Sequence, residues 1–81
     1  MKNNTAMTAM IENTLYMSKE SLLDFFVEHN MNVDRVDAYW DAVNDMLNQA
    51  DRENDHNLID ALVKQQDKCA WCLLRIEDYI C

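Results

Sequence analysis

No glycine and no proline occurs anywhere along the 81 residues of this chain. Average usage of ~7% and ~5% would supply roughly six and four. These two residues provide most tight turns, positive-φ positions and hairpin connections. A sheet protein is hard to build without either. A helical one can turn on Asn and Asp, and Asn stands at positions 3, 4, 13, 30, 32, 44, 48, 54 and 57. The same absence removes whole classes of site. A P-loop, a dinucleotide fingerprint and a nucleophile elbow all need glycine.

The length fits one domain, 1–81, with residues 1–4 expected to be disordered. A chain this short buries a thin core and sits near the lower limit for independent stability. Part of its apolar surface is therefore expected under a second copy or a partner. Lys2 could open a signal peptide, but Glu12 and Asn13 interrupt any apolar stretch. The longest apolar run, Cys69 to Leu74, is too short to span a bilayer. Three cysteines, an odd number, do not form a secreted disulfide framework. A soluble, cytoplasmic chain without membrane contact is expected.

Four helical segments follow from periodicity. The first covers roughly 5–17, with Met7, Met10, Ile11 and Leu15 on one stripe and Asn4 or Thr5 as cap. The second covers roughly 19–29, capped by Ser18, whose hydroxyl suits a first-turn N–H. An unbroken helix from 5 to 29 is the alternative, because no strong breaker lies between them. The third covers roughly 33–50, capped by Asn32. Its Val33, Val36, Trp40, Val43, Leu47 and Ala50 alternate steps of three and four, the spacing of a packed seam. A polar connection, 51–55, leads to the fourth helix, roughly 56–80. There Ile59, Leu62, Gln66, Cys69, Leu73, Ile76 and Ile80 repeat the seam, with Gln66 as its polar member. The expected fold is an all-α bundle of three or four helices, the last two an antiparallel pair.

Net charge is −8 and unevenly placed. Residues 20–60 carry eleven acids against two bases, Arg35 and Arg52; the remainder carries five bases and four acids. On the third helix Asp34, Asp37, Asp41 and Asp45 step by three, four and four. They fall within about 60° of one line, opposite the apolar face. On the second helix Glu20, Asp24 and Glu28 step by four. Like charges so spaced repel by a few tenths of a kcal/mol per pair. These seven acids thus oppose helix stability. One reading is a solvated face that keeps a small domain in solution. The other is a docking surface for a basic groove on a protein partner. Carboxylates one turn apart lie about 6 Å apart along the axis, which approaches the phosphate spacing of a nucleic-acid strand. Such a chain should be repelled by free nucleic acid and drawn to basic surfaces. In charge and size it is similar to small acidic helical proteins of phages and mobile elements, whose anti-defence, nucleic-acid-mimic members imply an inhibitor.

Catalytic chemistry finds little support. Ser18 and Ser21 have no His/Asp constellation, and the carboxylates face solvent by pattern. Cys69-Ala-Trp-Cys72 is a C-x-x-C, but it lies inside a helix with no strand before it, unlike thioredoxin-type motifs. Zinc would have to recruit Cys69, Cys72, Cys81 and His56, without tight knuckles. The leading reading packs Cys69 in the core with Cys72 beside it. No cofactor, metal or catalytic residue is expected. His29 is expected to serve a helix end. Tyr16, Phe25, Phe26 and the methionines 7, 10, 17 and 31 suit either core filling or an adaptable interface. The expected function is a non-enzymatic inhibitor that occludes a basic surface. A homodimeric adaptor working through apolar faces is the alternative.

Overall fold

The computed structural model describes residues 5–80, with side-chain surroundings for 7–77. The expectation for residues 1–4 lies outside them. Four helices follow one another: α1 (Thr5–Thr14), α2 (Lys19–Glu28), α3 (Val33–Arg52) and α4 (His56–Ile80). Among the described residues there is no strand.

Each of the last three helices starts on a side-chain cap. Ser18 Oγ accepts the Ser21 N–H, Asn32 Oδ1 accepts that of Arg35, and Asp55 Oδ1 accepts that of Leu58. Each cap satisfies a first-turn donor that the helix cannot pair itself. The helix ends explain how a chain without glycine turns. Asn30 and Asn54 hold φ of 54° and 56°. Asn tolerates this left-handed region better than other residues with a Cβ. After α2, Met31 N–H donates to the Phe26 carbonyl and Asn30 N–H to that of Val27. After α3, Asp55 N–H donates to the Ala50 carbonyl and Asn54 N–H to that of Asp51. Both are Schellman closures. Asp55 thus ends α3 with its backbone and starts α4 with its side chain. The connection shrinks to 53–55, shorter than expected, and folds α3 and α4 into an antiparallel pair.

The first helix ends earlier than its periodicity suggests, at Thr14. The break is held from across the molecule. Lys68 Nζ donates to the carbonyls of Leu15 (3.1 Å) and Met17 (2.8 Å), and Cys72 Sγ reaches that of Lys19 (3.6 Å). Lys68 takes two carbonyls that a continuous helix would have used internally, and Cys72 adds a contact at the first residue of α2. The unbroken 5–29 helix is thereby overturned.

α3 packs most extensively on α4, with α2 against α4 and α1 against α3. The Cα envelope measures 40 × 28 × 17 Å. Two helix layers about 8–10 Å apart, each of Cα radius about 2.3 Å, fill about 13–15 Å. The thin dimension therefore holds two layers: α1 and α2 over the α3/α4 pair.

That layering rotates both expected seams. On α3 the buried residues are Val36, Tyr39, Ala42, Val43 and Ala50, while Trp40, Val33 and Leu47 are only half-buried. On α4 they are Leu62, Gln65, Cys69, Cys72 and Ile76, while Gln66 and Leu73 are half-buried. A helix packed against two neighbours buries the face between them, not the line facing one partner. The polar core member is therefore Gln65, not Gln66. The expected interface residues divide similarly: Phe26 and Met31 are core, Phe25 is half-buried and Tyr16 is exposed.

Candidate interaction surface

A helix of about 100° per residue puts Asp34, Asp37, Asp41 and Asp45 on the side of α3 away from Val36 and Val43. All four are exposed, and so are Glu20, Asp24 and Glu28 on α2. The α3 four are grouped by their own helix. Glu20 stands near enough to Cys72 of α4 for its charge to act on that thiol, so it belongs with the α2/α4 seam. The structure groups four of the seven more clearly than all seven.

Five of the cations are engaged elsewhere, while Arg35 stands exposed on α3 itself. Lys64 pairs with Asp60 at 3.1 Å along α4. Lys68 serves the carbonyls at the α1/α2 break, and burial holds its pKa below the usual lysine range. The Arg75 guanidinium lies 3.8 Å from the Trp71 ring centroid and Lys19 Nζ 5.3 Å from it. Arg52 donates to Gln49 at 3.4 Å. Among the described residues, the side chains of Asp24, Glu28, Asp34, Asp37 and Asp41 make no hydrogen bond or ion pair. Asp34, Asp37 and Asp41 therefore face solvent without an ion pair from any described base.

Two apolar features accompany the charge. Val63 (45% exposed) and Leu74 (64%) stand on α4. Eleven residues is close to three turns, which places them within about 20° of one line. Trp40 is half-buried at the edge of the acidic face. The sequence places Trp40 in the core seam; its position as core edge depends on the rotation of α3 imposed by α1.

A depression of about 330 Å³ lies between the α1/α2 break and the start of α4, bordered by Leu15, Tyr16, Asp60, Ala61, Lys64 and Lys68. Both of its lysines already have partners. Its rim residue Tyr16 is 84% exposed.

The interior holds a polar chain that the seam pattern misses. Gln65 Nε2 can only donate, so the Tyr39 oxygen accepts it at 2.6 Å. Tyr39 O–H then donates to Thr14 Oγ1 at 2.6 Å, and Thr14 donates to the Met10 carbonyl at 2.8 Å. Burial pushes the Tyr39 phenol up to about 12, against the opposing pull of Thr14 and Gln65. Gln65 Oε1 is buried without a hydrogen-bond partner among the described residues.

Cys69 and Cys72 are both fully buried, so Cys72 lies in the core and not merely beside it. Burial pushes their thiols up to about 12 and about 11. A neutral, enclosed thiol is a poor nucleophile and metal ligand. Among the described residues no group of three His, Cys, Asp or Glu could hold a metal ion; Cys81 lies outside them. His29 follows α2 as expected. Its Nδ1 lies 2.8 Å from the Phe25 carbonyl, and its ring stacks on Phe25 at 4.1 Å. Among the described residues no helix is long and apolar enough to cross a membrane.

No protein-family model, curated protein or solved structure matches the chain.

Proposed function

We propose that this domain is a non-enzymatic inhibitor that occludes a basic, nucleic-acid-binding surface on a protein partner. The observation that carries this reading is the set of three unpaired carboxylates on one face of α3. Asp34, Asp37 and Asp41 are exposed and unpaired, while Lys19, Lys64, Lys68, Arg52 and Arg75 are engaged elsewhere. A face kept only for solubility gains nothing from leaving like charges one turn apart, which costs a few tenths of a kcal/mol per pair. On a basic groove the same charges would steer association and compete with nucleic acid. Small size and an acidic helical surface suit a phage or mobile-element inhibitor of a nucleic-acid-handling defence machine. The chain itself would not bind nucleic acid.

The test is the quadruple change Asp34→Asn, Asp37→Asn, Asp41→Asn, Asp45→Asn. Affinity capture from the native host should recover a partner whose retention falls steeply with salt. The quadruple variant should lose that partner while keeping its helical circular dichroism. Unchanged capture by a folded variant would refute the reading.

A second reading is favoured by the exposed Val63 and Leu74 line on α4. It makes the domain a homodimeric adaptor that works through apolar faces. It predicts a melting temperature that rises with protein concentration and an interaction insensitive to salt.

A further inference from the structure

We infer that the flank of α3 carrying Val33, Trp40 and Leu47, where it borders Asp37 and Asp41, docks an arginine-rich segment of the protein partner. This rests on α3 being the partner-facing helix. It goes beyond that reading by naming what the face recognises: guanidinium stacked on an indole, and not positive charge alone.

The first support is a contrast within the molecule. Two tryptophans are half-buried, one on each long helix. Trp71 has its face occupied, with the Arg75 guanidinium at 3.8 Å and Lys19 Nζ at 5.3 Å. Trp40 has no cation over its ring among the described residues. Its indole N–H makes no hydrogen bond and is not among the buried orphans, so it opens to solvent.

The second support is what surrounds that ring. Val33, Trp40 and Leu47 recur every seventh residue, and all three pack on the core while half-open. Asp37 lies about 60° around the helix and about 4.5 Å along it from Trp40, and Asn44 about 40° around to the same side and about 6 Å along in the opposite direction. The indole thus has a carboxylate toward the start of the helix and an amide toward its end, both on its solvent side. Asp37 and Asp41 have no ion-pair partner among the described residues.

Charge complementarity selects the occupant. A second copy would bring a net charge of −8 against −8. Nucleic acid is repelled for the same reason. A lysine ammonium is compact and strongly hydrated, and gains less from the ring than a guanidinium does. The guanidinium is planar, weakly hydrated, stacks on indole and pairs with a carboxylate through two N–H groups. It uses both parts of the flank at once, as Arg75 lies closer than Lys19 to the Trp71 ring.

Nona-arginine and nona-lysine peptides are the probes, titrated calorimetrically into the unmodified domain at physiological salt. Nona-arginine should bind about fivefold more tightly or better. In a Trp71→Phe variant, where Trp40 is the sole indole, nona-arginine should shift the emission. Trp40→Leu should bring the two affinities together while salt-sensitive binding persists. Equal affinities on the unmodified domain overturn the inference without any variant. If that equal binding disappears in the quadruple Asp→Asn variant, the occluding function stands and only the arginine site falls. If neither peptide binds at low salt, both fall.

Discussion

Two substitutions that break the same hydrogen bond should have very different costs. Gln65 Nε2 and the Tyr39 hydroxyl are 2.6 Å apart in the core. Tyr39→Phe deletes this bond and the 2.6 Å bond to Thr14. Thr14 keeps the Met10 carbonyl as acceptor, but the buried Gln65 amide is left with a long 3.4 Å contact to the Thr14 carbonyl. Two net hydrogen bonds and one poorly paired amide sum to a loss of about 2–4 kcal/mol. Gln65→Met loses one of those bonds, about 1 kcal/mol, but also removes the buried, unpartnered Oε1. Relief of that oxygen's desolvation is worth about 1–3 kcal/mol, and Met fills the unbranched space. Its net effect should lie within about 1 kcal/mol of zero. Urea titration followed by circular dichroism, with the slope unchanged, gives the difference directly. In heat it corresponds to at least about 4–8 °C in Tm between the variants. A Gln65→Met variant as unstable as Tyr39→Phe would refute the argument, because Oε1 must then be satisfied in solution by an internal water.

Further outcomes follow from the same accounting. Lys68→Met should destabilise by about 1–3 kcal/mol, since it orphans the Leu15 and Met17 carbonyls; amide exchange should show the loss first in α1. Asn54→Ala should cost about 1–2 kcal/mol through the positive φ, and Asn54→Gly should cost nothing or stabilise slightly in the same melt. Alkaline pH should unfold the domain. Cys69, Cys72 and Tyr39 keep their protons in the folded state up to about 12, about 11 and about 12, whereas the free groups ionise from 9.0 and 10.0. The unfolded state then binds fewer protons, so stability is full below about pH 9 and falls from there toward about pH 12. A melting temperature flat across that range would contradict the burial assigned to these groups.

Alternation of steps of three and four places α3 and α4 well, and the caps at Ser18 and Asn32 fall where short-range chemistry puts them. Helix existence, capping and the acidic stripe depend on residues within one or two turns, so a linear reading reaches them. The absence of glycine is answered locally too, by left-handed Asn30 and Asn54. What the linear reading could not reach is rotation. A seam drawn for one neighbour selects Trp40 and Gln66; packing against two selects Tyr39 and Gln65. The same rotation leaves Trp40 half-open beside the carboxylates. The break after Thr14 is likewise long-range, because its carbonyls are paired by Lys68, more than fifty residues on. Local propensity is indifferent there, and a cation from another helix settles the matter. The charge on α3 was legible from spacing alone; that Lys19, Arg52, Lys64, Lys68 and Arg75 are engaged elsewhere became visible only once the helices were packed.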